Sequence, residues 1–345
     1  MYFFRREKIQ CRYQFSLRDA VDITLLQRAL TAALASAPYY TQRLVQEKRE
    51  MWLEPNTEPC LVYPGSTMRN IPEQTNGYLF CVSCEGDTVY FDWHHFLLDG
   101  HGVSPLLTSI LEQYCNLRYG TAFAVPQIVC DPPYDMEAML AEYPPVEYGS
   151  DVIQRDVVQT YEGALRRTRV CLSKQSLVEK ALANNAKPVS ALMGLLCMAM
   201  REYLGKEKIQ YSYSSDTRDV AGVPNALYNC VCSFGHTVQL QAQTRLADFV
   251  GDIDADIKRD LQPQSKRRRM AEQMGWVYKV DQQKAPLRIK QRVFQMGEYI
   301  GGTISDFWLS YLGNPLMPAT PELAQYTTDS VSYTHLRAHE TRSNL

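Results

Sequence analysis

The run Phe91-Asp92-Trp93-His94-His95-Phe96-Leu97-Leu98-Asp99-Gly100 sets two adjacent histidines at the end of an alternating apolar segment, with an Asp-Gly pair just behind them. The chain holds six histidines, and His94, His95 and His101 all fall here. From Asp87 to Trp93 the residues alternate as a half-buried strand, with Val89, Phe91 and Trp93 on one face. The same period carries His95 to the inward side and His94 to the other. Asp99-Gly100 is expected as a tight turn in which glycine can take a positive φ. Ser104 and Pro105 suit the N-cap and first position of a helix bearing Leu106, Leu107, Ile110, Leu111 and Tyr114. Strand, paired histidines, turn and helix would place an imidazole, the side chain that titrates nearest neutral pH, where it can accept a proton.

The segment from His94 to Gly100 resembles the HHxxxDG motif of the chloramphenicol-acetyltransferase-like superfamily, in its branch of condensation domains and alcohol acetyltransferases. Plant BAHD acyltransferases share the HxxxD core. The likeness covers motif, following helix and flanking strands, from about Gly77 to Gly120. It implies an α+β fold of two sandwich lobes, each of two layers, with the active-site channel between them. It also implies an enzyme that joins an acyl thioester to an alcohol or amine. His95 would take the acceptor's proton on Nε2 as it attacks the thioester, without a covalent acyl-enzyme, and His94 would be structural. Gly100 completes the motif. Asp99 would turn away from the histidine and pair with an arginine of the second lobe. Ser215-Asp216-Thr217-Arg218, followed by Asn229, resembles that family's D-x-R…N segment and nominates Arg218. Leu309-Ser310-Tyr311-Leu312-Gly313 resembles the strand that faces the histidine, so Ser310 would donate to the thioester oxyanion. Tyr311 stands where the family pattern has Asn, so a strand without catalytic duty is the other reading. The resemblance implies no resident cofactor. Acyl-CoA is the expected co-substrate, because no carrier-protein domain accompanies the motif; an acyl carrier protein is the alternative donor, and a non-catalytic binding descendant of the fold a third reading.

The remaining sequence bounds these readings. The chain has 345 residues, 45% hydrophobic and 21% charged, at a formal net charge of −2. That length accommodates two packed lobes, and that charge argues against a dedicated nucleic-acid binder. No apolar run is long enough to span a membrane, and the N-terminal residues lack the apolar core of a signal peptide, so a cytoplasmic enzyme is expected. The ten cysteines are scattered and read as reduced thiols; Cys81-Val82-Ser83-Cys84 is a lone C-x-x-C without a partner pair. His94, His95, Asp99 and His101 could be imagined around a metal, but adjacent strand residues point in opposite directions, which chelates poorly. Lys266-Arg267-Arg268-Arg269 could meet coenzyme A phosphates or form a solvated loop.

The expected organisation is an N-terminal lobe over residues 1–122, a proline-rich linker over 123–164 and a second lobe over 165–330. Val331 to Thr341 resembles a translated sequencing-library adaptor, which sets residues 331–345 apart, removes His335 and His339 from consideration and implies a second lobe cut short. Within the first lobe, strands are expected at Tyr13–Leu17, around Met51–Leu53, at Tyr78–Val82 and at Thr88–His94, with loop from Pro55 to Glu73. Asp22 should cap a helix with Leu26, Leu30, Ala33 and Leu34 inward, stapled by Val21 against Leu26. In the second lobe, Arg167–Leu172, Ile209–Ser214 and Val231–Leu240 read as strands. Pro188 should open a helix with Leu192, Leu195, Leu196, Ala199 and Tyr203 on its inner face, and Thr244 another.

Overall fold

Alternation in the first strand puts Cys11, Tyr13, Phe15 and Leu17 on one face, and this face organises the first of two hydrophobic cores. The structure, a computed structural model, describes residues 10–125, 127–143, 170, 172–301, 305–310, 316 and 321–335, with the side chains of 295–301 and 329–335 left aside. The elements run β1 (Gln10–Leu17), α1 (Ile23–Ala35), β2 (Gln42–Gln46), β3 (Met51–Pro55), β4 (Val62–Pro64), β5 (Phe80–Glu85), β6 (Thr88–His94), α2 (Gly100–Tyr119) and α3 (Met136–Glu142). There follow α4 (Lys174–Ala183), α5 (Pro188–Leu204), β7 (Lys208–Asp216), α6 (Arg218–Ala221), β8 (Val231–Gln239), α7 (Val250–Asp260), α8 (Pro263–Asp281), α9 (Leu287–Gly301), β9 (Phe307–Leu309) and β10 (Thr327–His335).

The first sheet has the order β10-β1-β6-β5-β4, antiparallel except where β4 joins β5. Its register aligns Tyr13 with Phe91 and Phe91 with Val82, so the apolar faces of three strands coincide and pack against α1 and α2. The opposite face aligns Arg12 with Asp92, and the two form a buried two-pronged ion pair, Nη2 to Oδ2 at 2.7 Å. Asp22 caps α1 as expected, its Oδ1 accepting from the backbone N–H of Thr24 and Leu25, and Leu26, Leu30, Ala33 and Leu34 are buried.

The second core gathers β7, β8, α5, α7 and α8 beside the sheet β8-β7-β9. Its helix α5 differs from the expected face: Ser190, Ala191, Met193, Gly194 and Cys197 are buried, and Tyr203 is exposed. Small residues win because α5 approaches its neighbour closely; a Cβ on Gly194 would stand 2.5 Å from Leu246 Cδ1. The first turn of α5 is anchored by Asp254 of α7, whose Oδ1 accepts from the Lys187 N–H at 3.1 Å and the Ser190 hydroxyl at 2.7 Å.

Burial alone would raise the Asp254 pKa, but the bonds from Lys258, Ser190 and Lys187 outweigh it and pull it down to about 2. A carboxylate depressed in the folded state adds stability above its unfolded pKa and loses it as pH falls through the folded one. Asp254→Asn should therefore cost about 1–2 kcal/mol near neutral pH. The difference should shrink between about pH 4 and pH 2; equal differences in urea midpoint at pH 7 and pH 2.5 would contradict it.

Four further expectations change. The span from Pro55 to Glu73 contains β4, a strand too short to show a period. The linker is in part structured: Ile128 enters the first core, and α3 packs on α8 with Tyr134 and Met139 against the second. Residues 144–169 lie outside the described residues, and of the strand expected at Arg167–Leu172, Val170 and Leu172 are exposed and in no strand. Leu316, Leu323 and β10, expected with the second lobe, pack on the first: Leu316 and Leu323 in its core, β10 along β1 from Gln10↔His335 to Leu17↔Thr327. This ladder crosses the boundary drawn at Ser330. It is built from main-chain groups, which pair whatever the side chains, so it is equally compatible with the adaptor reading of residues 331–345.

Candidate active site at the junction of the lobes

β6 ends at His94 and a turn covers His95 to Leu97, so the strand alternation stops one residue short of His95. His94, expected on an outer face, is 7% exposed, because both faces of this sheet are covered; its ring stands edge-on to Phe96 at 4.8 Å. His95 is half-buried and faces the second lobe. Three bonds brace the turn: Trp93 Nε1 donates to Leu98 O at 3.1 Å, Tyr39 OH to Leu97 O at 2.9 Å and Tyr40 OH to Gly102 O at 2.7 Å. Burial pushes the Tyr39 hydroxyl pKa up, which keeps it a donor.

The helix begins earlier than expected. Asp99, not Ser104, is the N-cap of α2, accepting from the Gly102 N–H at 2.8 Å. Gly100 is its first residue and has no positive φ. Pro105 then lies inside the helix, where it removes one N–H, while Ser104 Oγ donates to Gly100 O at 3.1 Å. Asp and Ser are near-equal caps, and local sequence could not rank them.

Asp99 and Arg218 meet across the lobes. Arg218 Nη2 donates to Asp99 Oδ1 at 2.8 Å, and the Cys230 N–H donates to Asp99 Oδ2 at 2.9 Å. Asp99 is 2% and Arg218 3% exposed. Three more guanidinium hydrogens go to Ala226 O (Nε, 2.7 Å), Tyr228 O (Nη2, 2.9 Å) and Asp216 Oδ2 (Nη1, 3.2 Å). Burial pulls the Arg218 pKa down, but the charges of Asp99 and Asp216 outweigh it and hold it above the usual value. Both carboxylate oxygens of Asp99 are thus engaged by Arg218 and by the backbone N–H groups of Gly102 and Cys230. His101 is exposed, its Nδ1 3.8 Å from Asp216 Oδ2.

Asn229 does touch His95, its Nδ2 standing 3.1 Å from His95 Nδ1. The sequence marks Asn229 only as the end of a segment and gives it no role. Neither Gly102, which precedes the expected helix, nor Leu227 carried a signal in the sequence. Yet Leu227, a second-lobe residue, is buried in the first core, and a Cβ on Gly102 would fall 1.9 Å from its carbonyl oxygen.

Ser310 follows β9, exposed at the edge of the second sheet, and among the described residues it makes no hydrogen bond to the turn carrying His95. Tyr311, Leu312 and Gly313 lie outside the described residues. Lys266 to Arg269 form part of α8, not a loop. Lys266 is buried against Asp219 at 2.5 Å, and Arg269 donates to Ser233 O at 2.6 Å. Arg268 and Arg269 line a cavity of roughly 510 Å³ with His236, Asp260 and Glu272; neither His95 nor Asp99 borders it. Nine cysteines among the described residues are free thiols, and burial pushes Cys81 and Cys230 up to about 12, which keeps them protonated near neutral pH. No described helix is long and apolar enough to cross a membrane.

No family model matches the sequence, and no curated protein matches it. Solved structures do match. Polyketide synthase associated protein 5 from Mycobacterium tuberculosis is 17% identical with a TM-score of 0.62, over 94% of this chain and 83% of that one. The first condensation domain of the calcium-dependent antibiotic synthetase, in complex with a substrate analogue, is 14% identical with a TM-score of 0.59, over 94% and 78%. F. graminearum TRI101, complexed with coenzyme A and T-2 mycotoxin, is 12% identical with a TM-score of 0.57, over 94% and 85%. At such identities the likeness is one of fold. The chain has the two-lobed α+β fold of condensation domains and TRI101, the chloramphenicol-acetyltransferase-like fold that the motif implied.

Proposed function

We propose that the chain is an acyltransferase that moves an acyl group from acyl-CoA to a small alcohol or amine, with His95 as general base. The observation that carries the reading is the setting of His95, half-buried at the seam of the lobes on a turn fixed by the Asp99–Arg218 pair. The acceptor oxygen or nitrogen attacks the thioester carbonyl and its proton passes to His95. The carbon–sulfur bond then breaks, and the proton leaves with the thiolate as free thiol, so no acyl-enzyme is needed. Holding donor and acceptor in one orientation supplies much of the rate. Coenzyme A in the TRI101 structure supports acyl-CoA as donor. The likeness in fold to a condensation domain supports a second reading, in which a carrier protein presents the acyl group.

The test is acceptor-dependent thiol release from acetyl- and longer acyl-CoA with a panel of alcohols and amines. His95→Ala should lower the rate about 10²–10⁴-fold while leaving the fold intact. An unchanged rate in that variant removes His95 from the chemistry. Silence with acyl-CoA but turnover with a loaded carrier protein establishes the second donor. Silence with both leaves a binding descendant of the fold.

A further inference from the structure

The cavity between β8 and the first half of α8 has walls that the site at His95 does not use. β8 is the outer strand of its sheet. Ser233 turns its backbone groups away from β7: its carbonyl accepts from Arg269 Nε at 2.6 Å, and its N–H donates to Gln273 Oε1 at 3.1 Å. Antiparallel ladder bonds alternate along a strand, so Gly235 turns its N–H and C=O to the same side, toward the cavity that it lines. The walls also carry two guanidinium groups, Arg268 and Arg269, and two carboxylates, Asp260 and Glu272.

These charges are unequally engaged. Asp260 Oδ2 accepts from the Tyr213 hydroxyl at 2.7 Å and stands 2.5 Å from His236 Nε2. Arg269 donates from Nη1 to Glu272 Oε2 at 3.2 Å, which leaves Glu272 Oε1 facing no donor among the described residues. Arg268 is exposed, and no hydrogen bond or ion pair reaches it among the described residues. Arg268 and Glu272 are one helical turn apart, so their side chains rise from the same face of α8. An open cation and an open carboxylate oxygen thus lie side by side, with the polar edge of a strand across from them. We infer that this cavity is a second ligand site, which takes a small zwitterion of the amino-acid type, a free amino acid or a short peptide. Its carboxylate meets Arg268, its ammonium meets Glu272, and main-chain groups pair with Gly235 as an extended peptide pairs with a sheet edge. The cavity, of about 510 Å³, accommodates either source. A phosphate-rich ligand is a poorer match, because the two carboxylates offset the two guanidinium groups. Neither His95 nor Asp99 borders the cavity, so the inference stands apart from acyl transfer.

Binding is measured without turnover, by titration calorimetry of the full chain at neutral pH. The probes are glycine, L-alanine and triglycine, with N-acetylglycine (no ammonium), glycinamide (no carboxylate) and adenosine 3′,5′-bisphosphate beside them. The zwitterions should bind about tenfold or more tightly than either half-charged analogue. Arg268→Gln should weaken the zwitterions by about tenfold or more and leave the melting temperature unchanged, since the side chain holds nothing in place. Glu272→Gln should weaken them by a similar factor while leaving N-acetylglycine unaffected. If that variant is destabilised by loss of the Arg269 contact, the comparison of analogues on the wild type reads the ammonium subsite instead. Triglycine binding above glycine and L-alanine identifies the peptide as occupant, and the reverse order the free amino acid. Absence of zwitterion binding overturns the inference, as does equal affinity in Arg268→Gln. Binding of the bisphosphate in place of the zwitterions also overturns it.

Discussion

Asp99→Asn should lower the free energy of unfolding by about 3–5 kcal/mol, the usual consequence of leaving one partner of a buried ion pair unmatched. The pair is deep, and the neutral amide cannot repeat its bonds. All three donors to Asp99, from Gly102, Arg218 and Cys230, are N–H groups, and an amide would turn its own NH₂ toward at least one of them. Against a stability of about 5–15 kcal/mol for a native domain, the loss is a large fraction of the whole. Arg218→Met should cost a similar amount. The double variant should cost clearly less than the sum, because neither charge is then stranded. Urea unfolding of the four proteins measures this; a loss below about 1 kcal/mol for Asp99→Asn would show the pair to be dispensable. The same loss should weaken catalysis, since Arg218 also holds the loop bearing Asn229.

Gly102→Ala should reduce turnover about a hundredfold and destabilise the chain by about 1–3 kcal/mol. Two effects oppose one another, and their sizes decide the sign. Alanine favours a helix over glycine by about 1 kcal/mol, so in open space the change would stabilise. Here the new Cβ would meet a backbone oxygen, Leu227 O, at 1.9 Å, and no side-chain rotation relieves that. The end of α2 and the 222–230 loop must move apart, which stretches the Arg218–Asp99 contact and shifts Asn229 from His95. A displacement of about 1 Å at such a seam is worth roughly 10² in rate. Turnover and urea midpoint within error of wild type would show that the seam yields without cost.

Local patterns of one period were legible in the sequence. Alternation in β1 and β6, the Asp22 cap with the apolar stripe of α1, and the strand-then-helix unit around the paired histidines are all short-range signals written by side-chain spacing. The paired histidines also brought the fold within reach, through a resemblance that the solved structures share at the level of architecture. Other features belong to tertiary structure because their cause lies far along the chain. Asp99 and Arg218 are 119 residues apart, and only the docking of α2 against the loop after α6 makes them partners. His95 leaves the strand period because a turn intervenes, so it meets Asn229 of the other lobe, 134 residues along the chain. The buried face of α5 follows close helix packing that favours Gly194 over Leu195. Arg269 is held by Ser233 O because β8 lies beneath α8, a pairing that no run of four basic residues reveals. Hydrophobic spacing is a property of neighbours, so sequence carried it; the polar geometry of the site depends on which surfaces meet, and only the packed chain decides that.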